Sequence, residues 1–414
     1  MLNRLKIKSD FTRNVATLFM GTAIAQAIPV LFSPVFTRIY EPEQYGIFAL
    51  FFTITNVCGV IATGRYEMAI ILPKEEEDAD RLQRLCYLIA FTLAGLLLLL
   101  VVVFEDFFVD YLSIGGFGPW LYVIPLQVFL MGVVQAISAR MNRQKKFRQM
   151  STLKITQNGS NVIIALLLGI SKISNGLVIG HIGGFAVAAL LFIRRIGTRT
   201  TDSFRTMWRL AVRYHHFILY NAPTALLNTV ASSMPLFFIS GIAPKAEVGF
   251  YGLVERVINA PIGLVSYAVS QVLMEDVATR HREGRPVTPV LYQLLRNLFL
   301  AGIVPFTALF FFAEEIFAFV FGAEWERAGE YASILSIAFF IRFLVSPLSV
   351  TFISLNKLKP LTFWQVLYFC TTLGIVLFSM GQGHISQFLV LLVINDSVMY
   401  SLYLFLILRA ARNQ

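Results

Sequence analysis

Twelve runs of about twenty apolar residues follow one another along this 414-residue chain, and no other feature restricts its fold as strongly. A helix needs about 20 such residues to cross a hydrocarbon core, where backbone groups left unpaired find no water. The runs lie near 12–37, 45–72, 84–104, 117–139, 150–170, 173–193, 214–241, 247–274, 292–313, 330–355, 360–381 and 386–408. Only 14% of the residues are charged, against about 25% in soluble domains, and the mean hydropathy is +0.70. These figures exclude a soluble enzyme and predict an all-α polytopic membrane protein with about 12 transmembrane helices.

Charge sets the expected topology. Arg4, Lys6, Lys8 and Arg13 precede the first run as in a signal peptide, but that run is too long for one and reads as a membrane helix kept in the mature protein. Of the 34 Lys and Arg residues, 27 fall at the N-terminus, the C-terminus and alternate loops, while the intervening loops hold only Arg38, Lys172, Lys245 and Arg327. Basic residues mark the cytoplasmic side, so both termini are expected there, and the net charge of +10 is a membrane signal rather than a nucleic-acid one. Cys58, Cys86 and Cys370 have neither metal-ligand spacing nor a disulfide framework and read as small packing residues.

The basic segment 194–213 falls at mid-chain and is expected to be a cytoplasmic linker between lobes of six helices each, 1–193 and 214–414. Even span numbers start both halves on the same side, so an internal repeat would be parallel. Shifting the chain by 202 superposes Thr22 on Thr224, Gln26 on Asn228, Phe36 on Phe238 and Pro42 on Pro244. A shift of 203 then superposes Gly46 on Gly249, Leu50 on Leu253 and Asn56 on Asn259, and NRQK at 142–145 finds a counterpart in NKLK at 356–359.

Polar residues in the spans gather on faces. Asn221, Thr224, Asn228, Ser232 and Pro235 share one helical face of the seventh span, as do Thr22, Gln26, Pro29 and Ser33 in the first and Arg256, Asn259, Gly263, Tyr267 and Ser270 in the eighth. Such stripes serve either helix packing or a polar cavity. Charges at membrane depth cost about 2.5–3.5 kcal/mol on insertion scales and usually face a bundle interior or water. The basic ones are Arg65, Arg256 and Arg342; the acidic ones are Glu67, Glu255 and Asp396. Arg65 and Glu67, two apart, do not face each other on a helix. An Arg342–Asp396 ion pair is one expected pairing. Together with Arg38 and Lys154 near span ends, the three arginines are alternatively the lining of a cavity of positive charge, suited to a phosphate-bearing substrate because guanidinium binds phosphate oxygens in a fork.

Enzyme signals are weak. Asp78-x-Asp80 in KEEEDAD resembles a glycosyltransferase metal pair but stands in a charge run of the kind that forms solvated loops. His215 and His216 sit beside basic residues at a span end and read as interfacial. No catalytic motif, metal cluster or phosphate-cradling glycine loop is found in the sequence.

The pattern R-x-Y-x-P-x-x-Y-G-x-F (Arg38, Tyr40, Pro42, Tyr45, Gly46, Phe48), followed by R-Y-E-x-A-I (Arg65, Tyr66, Glu67, Ala69, Ile70), resembles the N-terminal signature of Wzx-type oligosaccharide flippases. These form the polysaccharide-transporter branch of the MOP exporter superfamily, which also holds the MATE drug antiporters. The resemblance implies two MATE-like six-helix lobes, a central cationic cavity and alternating access, in the bacterial inner membrane. Its implied substrate is an undecaprenyl-pyrophosphate-linked oligosaccharide, carried from the cytoplasmic to the outer leaflet for O-antigen, capsule or exopolysaccharide assembly. Membrane lipid, a polysaccharide polymerase and a chain-length regulator are the partners to expect, with no resident cofactor and H+ or Na+ as coupling ions. By the resemblance Arg65 is expected to line the cavity and Glu67 to serve ion coupling or structural pairing; on depth, charge and helical face alone, Arg256, Arg342, Arg38, Gln26, Asn228 and Asn259 are the other expected cavity residues, and Glu255 and Asp396 the other acids expected to serve ion coupling or structural pairing. The competing readings are a membrane polymerase or ligase of lipid-linked sugars, disfavoured by the short outer loops, and a cation-coupled drug antiporter, disfavoured by as many buried arginines as acids.

Overall fold

The computed structural model describes residues 20–105, 118–193, 204–381 and 383–412. The four N-terminal basic residues, the start of the first run and the first ten residues of the linker lie outside them. The described helices are α1 (Met20–Phe36), α2 (Pro42–Gly59), α3 (Glu76–Val103), α4 (Ile124–Arg143), α5 (Phe147–Ile170), α6 (Gly176–Ile193) and α7 (Phe204–Arg213). They continue with α8 (Phe217–Ile242), α9 (Lys245–Arg282), α10 (Thr288–Phe321), α11 (Glu326–Val345), α12 (Leu358–Ser379) and α13 (Ile385–Arg412). Among the described residues ten helices are long and apolar enough to cross a membrane. The other two expected spans are occupied by α1 and α2, and α7 is a further short helix in the linker.

The second run departs from expectation. Instead of one helix over 45–72, α2 ends at Gly59 and a 3-10 helix covers Tyr66–Ile71. Between them Gly64 and Arg65 both take left-handed backbone angles, φ 60° and 64°, which no α-helix can pass through. Position 267, the counterpart of Gly64 under the 203-residue shift, is Tyr, and α9 runs through it unbroken for 38 residues.

Two compact units are distinguished, one of residues up to Phe32 with Ile39–Ser233, the other of Ser33–Arg38 with Met234–Gln414. In the first, α5 and α6 pack backbone to backbone. A Cβ on Gly184 would stand 2.4 Å from the Gln157 carbonyl oxygen, and one on Gly180 2.7 Å from that of Asn161. Glycines four apart clear one helix face for such an approach, as small residues do between membrane helices. His181, on the same helix, is buried among the rings of Phe48, Phe51, Phe52 and Phe185 at 5.2–6.4 Å.

The second unit is built around aromatic rings. Trp325 is fully buried, donates from Nε1 to the Thr37 carbonyl at 3.1 Å and meets Phe250 edge-on. Trp364 stacks on Tyr403 at 4.1 Å and on Tyr368 at 5.2 Å, and its Nε1 donates to the Met399 carbonyl at 2.7 Å. Thus each indole has both its apolar face and its polar tip satisfied.

The turns after α4 and before α12 share one geometry. Lys145 (φ 55°) and Asn356 (φ 54°) are left-handed, and the next residue's amide bonds back to Met141 and Phe352, respectively, as in a Schellman cap. The same left-handed cap closes α5 at Lys172, where the Ile173 amide bonds back to Leu168, and α9 at Gly284, where that of Arg285 bonds back to Arg280, so it is a common helix end in this chain and does not by itself pair the two basic loops. Meanwhile Phe91, Leu99, Leu190, Val304 and Phe319 stand 58–85% exposed, an apolar surface suited to lipid.

Candidate functional site

In the first unit the chain leaving α2 winds down through successive three-residue turns, with Gly64 N bonded to Ile61 O and Tyr66 N to Thr63 O. A non-glycine residue in the left-handed region costs about 1–2 kcal/mol, so Arg65 is held there by its surroundings. Tyr66, buried, donates its hydroxyl to the Ala211 carbonyl of α7 at 2.9 Å. Beyond the 3-10 helix, Arg143 donates from Nη1 to the carbonyls of Ile70, Ile71 and Pro73 at 3.2, 3.2 and 2.7 Å and from Nε to Glu76 at 2.8 Å. Both ends of the segment are therefore pinned.

Within it, the Arg65 Nε donates to Asn221 Oδ1 at 2.8 Å, and its Nη1 lies 3.5 Å from Glu67 Oε1. Glu67 also accepts from Thr63 Oγ1. The expectation that Arg65 and Glu67 do not face each other fails because no α-helix carries them: the left-handed turn swings the two side chains together. Asn221 closes a π-helical turn, Phe217–Asn221, at the start of α8; such turns recur at functional sites. The Arg65 side chain keeps 22% of its surface exposed, so its guanidinium is oriented by protein groups yet open to a ligand.

The second unit holds a second polar cluster. Arg342 Nη2 donates to Asp396 Oδ2 at 2.8 Å, the ion pair suggested by the sequence, and Nη1 donates to Asn259 Oδ1 at 3.2 Å. Asn259 in turn donates to Glu255, which also accepts from the Tyr251 hydroxyl at 3.3 Å. Tyr368 donates to the other Asp396 oxygen at 3.0 Å, and the guanidinium carbon lies 5.6 Å from the ring centres of both Phe339 and Tyr400. One guanidinium faces two carboxyl groups here, so this cluster does not have the positive balance expected of the cavity.

Four expected cavity residues remain, Arg38, Gln26, Asn228 and Arg256. Arg38 is exposed and reaches the Phe319 carbonyl at 3.5 Å; Gln26 and Asn228 are exposed on α1 and α8, and Arg256 is partly buried on α9. Within the α8 stripe Thr224, Asn228 and Ser232 are exposed, whereas its two ends, Asn221 and Pro235, are half-buried and buried. Lys154 donates to Thr22 at 3.2 Å. Asp78 and Asp80 turn to different partners, Arg81 at 2.6 Å and the buried Arg140 at 2.5 Å, which also binds Glu76. Both carboxylates of the Asp-x-Asp pair are thus engaged in ion pairs.

Sequence reasoning passed over Thr63, Tyr251, Tyr368 and Tyr400 as site residues and had Asn221 only as a member of the polar stripe of the seventh span. Tyr251, Glu255 and Asn259 stand four apart on one helix, a spacing that was legible; Tyr368 and Tyr400 join Arg342 only through the packing of three helices.

Long apolar helices with interior polar clusters define a multi-pass membrane protein. The chain belongs to the polysaccharide biosynthesis protein family, whose model matches residues 35–330. It is 21% identical over 408 residues to the succinoglycan biosynthesis transport protein ExoT of Rhizobium meliloti, covering 96% of this chain and 80% of that one. Its fold is that of the lipid II flippase MurJ in an inward closed conformation (TM-score 0.72, 14% identity, 95% of this chain and 87% of that one). It is also that of an inward-facing multidrug MATE transporter of the MOP superfamily (TM-score 0.67, 13% identity, 96% and 94%).

Proposed function

We propose that this protein is a flippase that moves an oligosaccharide linked through pyrophosphate to undecaprenol from the cytoplasmic to the outer leaflet of a bacterial inner membrane by alternating access. The observation that carries this reading is Arg65, an arginine held at a strained backbone position with its Nε anchored on Asn221 and its Nη1 beside Glu67, so that a guanidinium oriented by the protein keeps 22% of its side-chain surface open to phosphate oxygens. Nature rarely keeps such strain without use. Membership of a polysaccharide biosynthesis family and the similarity to the succinoglycan biosynthesis transport protein of Rhizobium support the same direction.

In this reading the Arg342 cluster serves coupling. Glu255 and Asp396, bridged by Asn259 and the guanidinium, exchange H+ or Na+ during the cycle. Both termini are cytoplasmic, and the repeat unit is handed to a polymerase under a chain-length regulator.

The test is the fate of the lipid-linked repeat unit in cells lacking the gene, its leaflet read with a membrane-impermeant probe. Single units confined to the cytoplasmic leaflet are expected. Units reaching the outer face unpolymerised place the protein after translocation and overturn the proposal.

A further inference from the structure

The helix α7, Phe204–Arg213, bears an exposed face divided into two parallel ridges. Arg205, Arg209 and Arg213, four apart, form one; Trp208 and Val212, also four apart and 61% and 54% exposed, form the other beside it. The opposite face is anchored: Leu210, Ala211 and the following Tyr214 are buried in the core cluster with Tyr66, Leu82 and Leu85. Trp208 and Val212 therefore project outward from a helix that already has its apolar packing satisfied. Four residues beyond its end the membrane helix α8 begins, with Ile218, Leu219 and Tyr220 at 42–73% exposure. Only three residues therefore separate α7 from a helix long and apolar enough to cross a membrane.

Arg209 and Arg213 make no ion pair among the described residues, and the acids of the neighbouring α3 are engaged elsewhere: Glu76 and Asp80 with Arg140, Glu77 and Asp78 with Arg81. A Trp ridge that dips to the headgroup level beside a basic ridge is the geometry of a helix lying on an anionic surface. We infer that α7 is a binding site for anionic phospholipid headgroups, its arginines holding lipid phosphates while Trp208 and Val212 enter the acyl boundary. Because the Ala211 carbonyl of this helix receives the Tyr66 hydroxyl, lipid bound to α7 steadies the segment that carries Arg65. The site does not depend on what the protein transports.

The experiment uses the purified full chain in mixed micelles, titrated with phosphatidylglycerol and followed by native mass spectrometry. A variant with Arg205, Arg209 and Arg213 all changed to Gln is expected to retain phosphatidylglycerol with affinity lower by on the order of a hundredfold, from the usual contribution of each juxtamembrane arginine. The comparison is a variant with Arg280, Arg282 and Arg285 changed to Gln, which loses equal charge elsewhere and is expected to bind almost as the wild type. Equal loss in both variants, or displacement of the lipid by inorganic phosphate at matching concentration, overturns the inference. A second reading avoids the charge changes: in vesicles containing brominated phosphatidylglycerol, the wild type is expected to be quenched more than Trp208→Phe, and equal quenching overturns it as well.

Discussion

Arg65 and Asn221 are 156 positions apart in the chain and hydrogen-bonded at 2.8 Å. The bond joins two irregular backbone features, a left-handed turn after α2 and a π-turn before the body of α8. Each feature alone is a cost; together they orient one guanidinium.

Replacing Asn221 by Ala removes the acceptor for the Arg65 Nε and frees the guanidinium to rotate. Surface polysaccharide is expected to fall at least tenfold while membrane abundance of the protein stays near wild type, as read by immunoblot of membrane fractions. Arg65→Lys is expected to behave likewise, since an ammonium offers a point charge without the planar fork. Wild-type polysaccharide from both variants sinks the role given to Arg65.

Removing one member of the Arg342–Asp396 pair leaves the other charge partly buried without its counter-ion. Breaking such pairs costs about 3–5 kcal/mol, so Arg342→Ala and Asp396→Ala are each expected to lower the melting temperature in detergent markedly. The double substitution Arg342→Met with Asp396→Leu is expected to recover much of that loss, because no lone charge remains. Additive losses would show that the two side chains do not act as a pair.

Gly184 admits no side chain against the Gln157 carbonyl. Gly184→Val is expected to push α5 and α6 apart and destabilise the first unit by about 1–3 kcal/mol or more, measurable as a lower melting temperature. Gly95, which has open space around its Cβ position, is the control, and Gly95→Ala is expected to leave the melting temperature unchanged or raise it slightly.

Arg143 gathers three backbone carbonyls and the Glu76 carboxylate under one guanidinium. Arg143→Ala is expected to raise hydrogen exchange across residues 66–76 while leaving α5 and α6 protected. Unchanged exchange in that segment would mean that the Tyr66–Ala211 and Arg65–Asn221 bonds hold it without Arg143.

The sequence by itself determined the fold class and, roughly, the number of membrane helices, twelve expected against ten long and apolar enough among the described residues, because an apolar run of about twenty residues has no stable state in water and only a helix can satisfy its backbone in lipid. It also made the Arg342–Asp396 pair a reasonable expectation, since few partners exist for an arginine at that depth. It misplaced Arg65 and Glu67 as residues of a continuous helix: the left-handed turn at Gly64 and Arg65 depends on Tyr66 bonding α7 and on Arg143 gripping Ile70 and Pro73, contacts made 70 to 145 residues away. Tertiary structure likewise chose Tyr368 and Tyr400 as neighbours of Arg342. Hydrophobicity is summed residue by residue and can be read along a line. The direction of a polar side chain at depth is set by which other elements pack beside it, and that is decided only when the chain has folded.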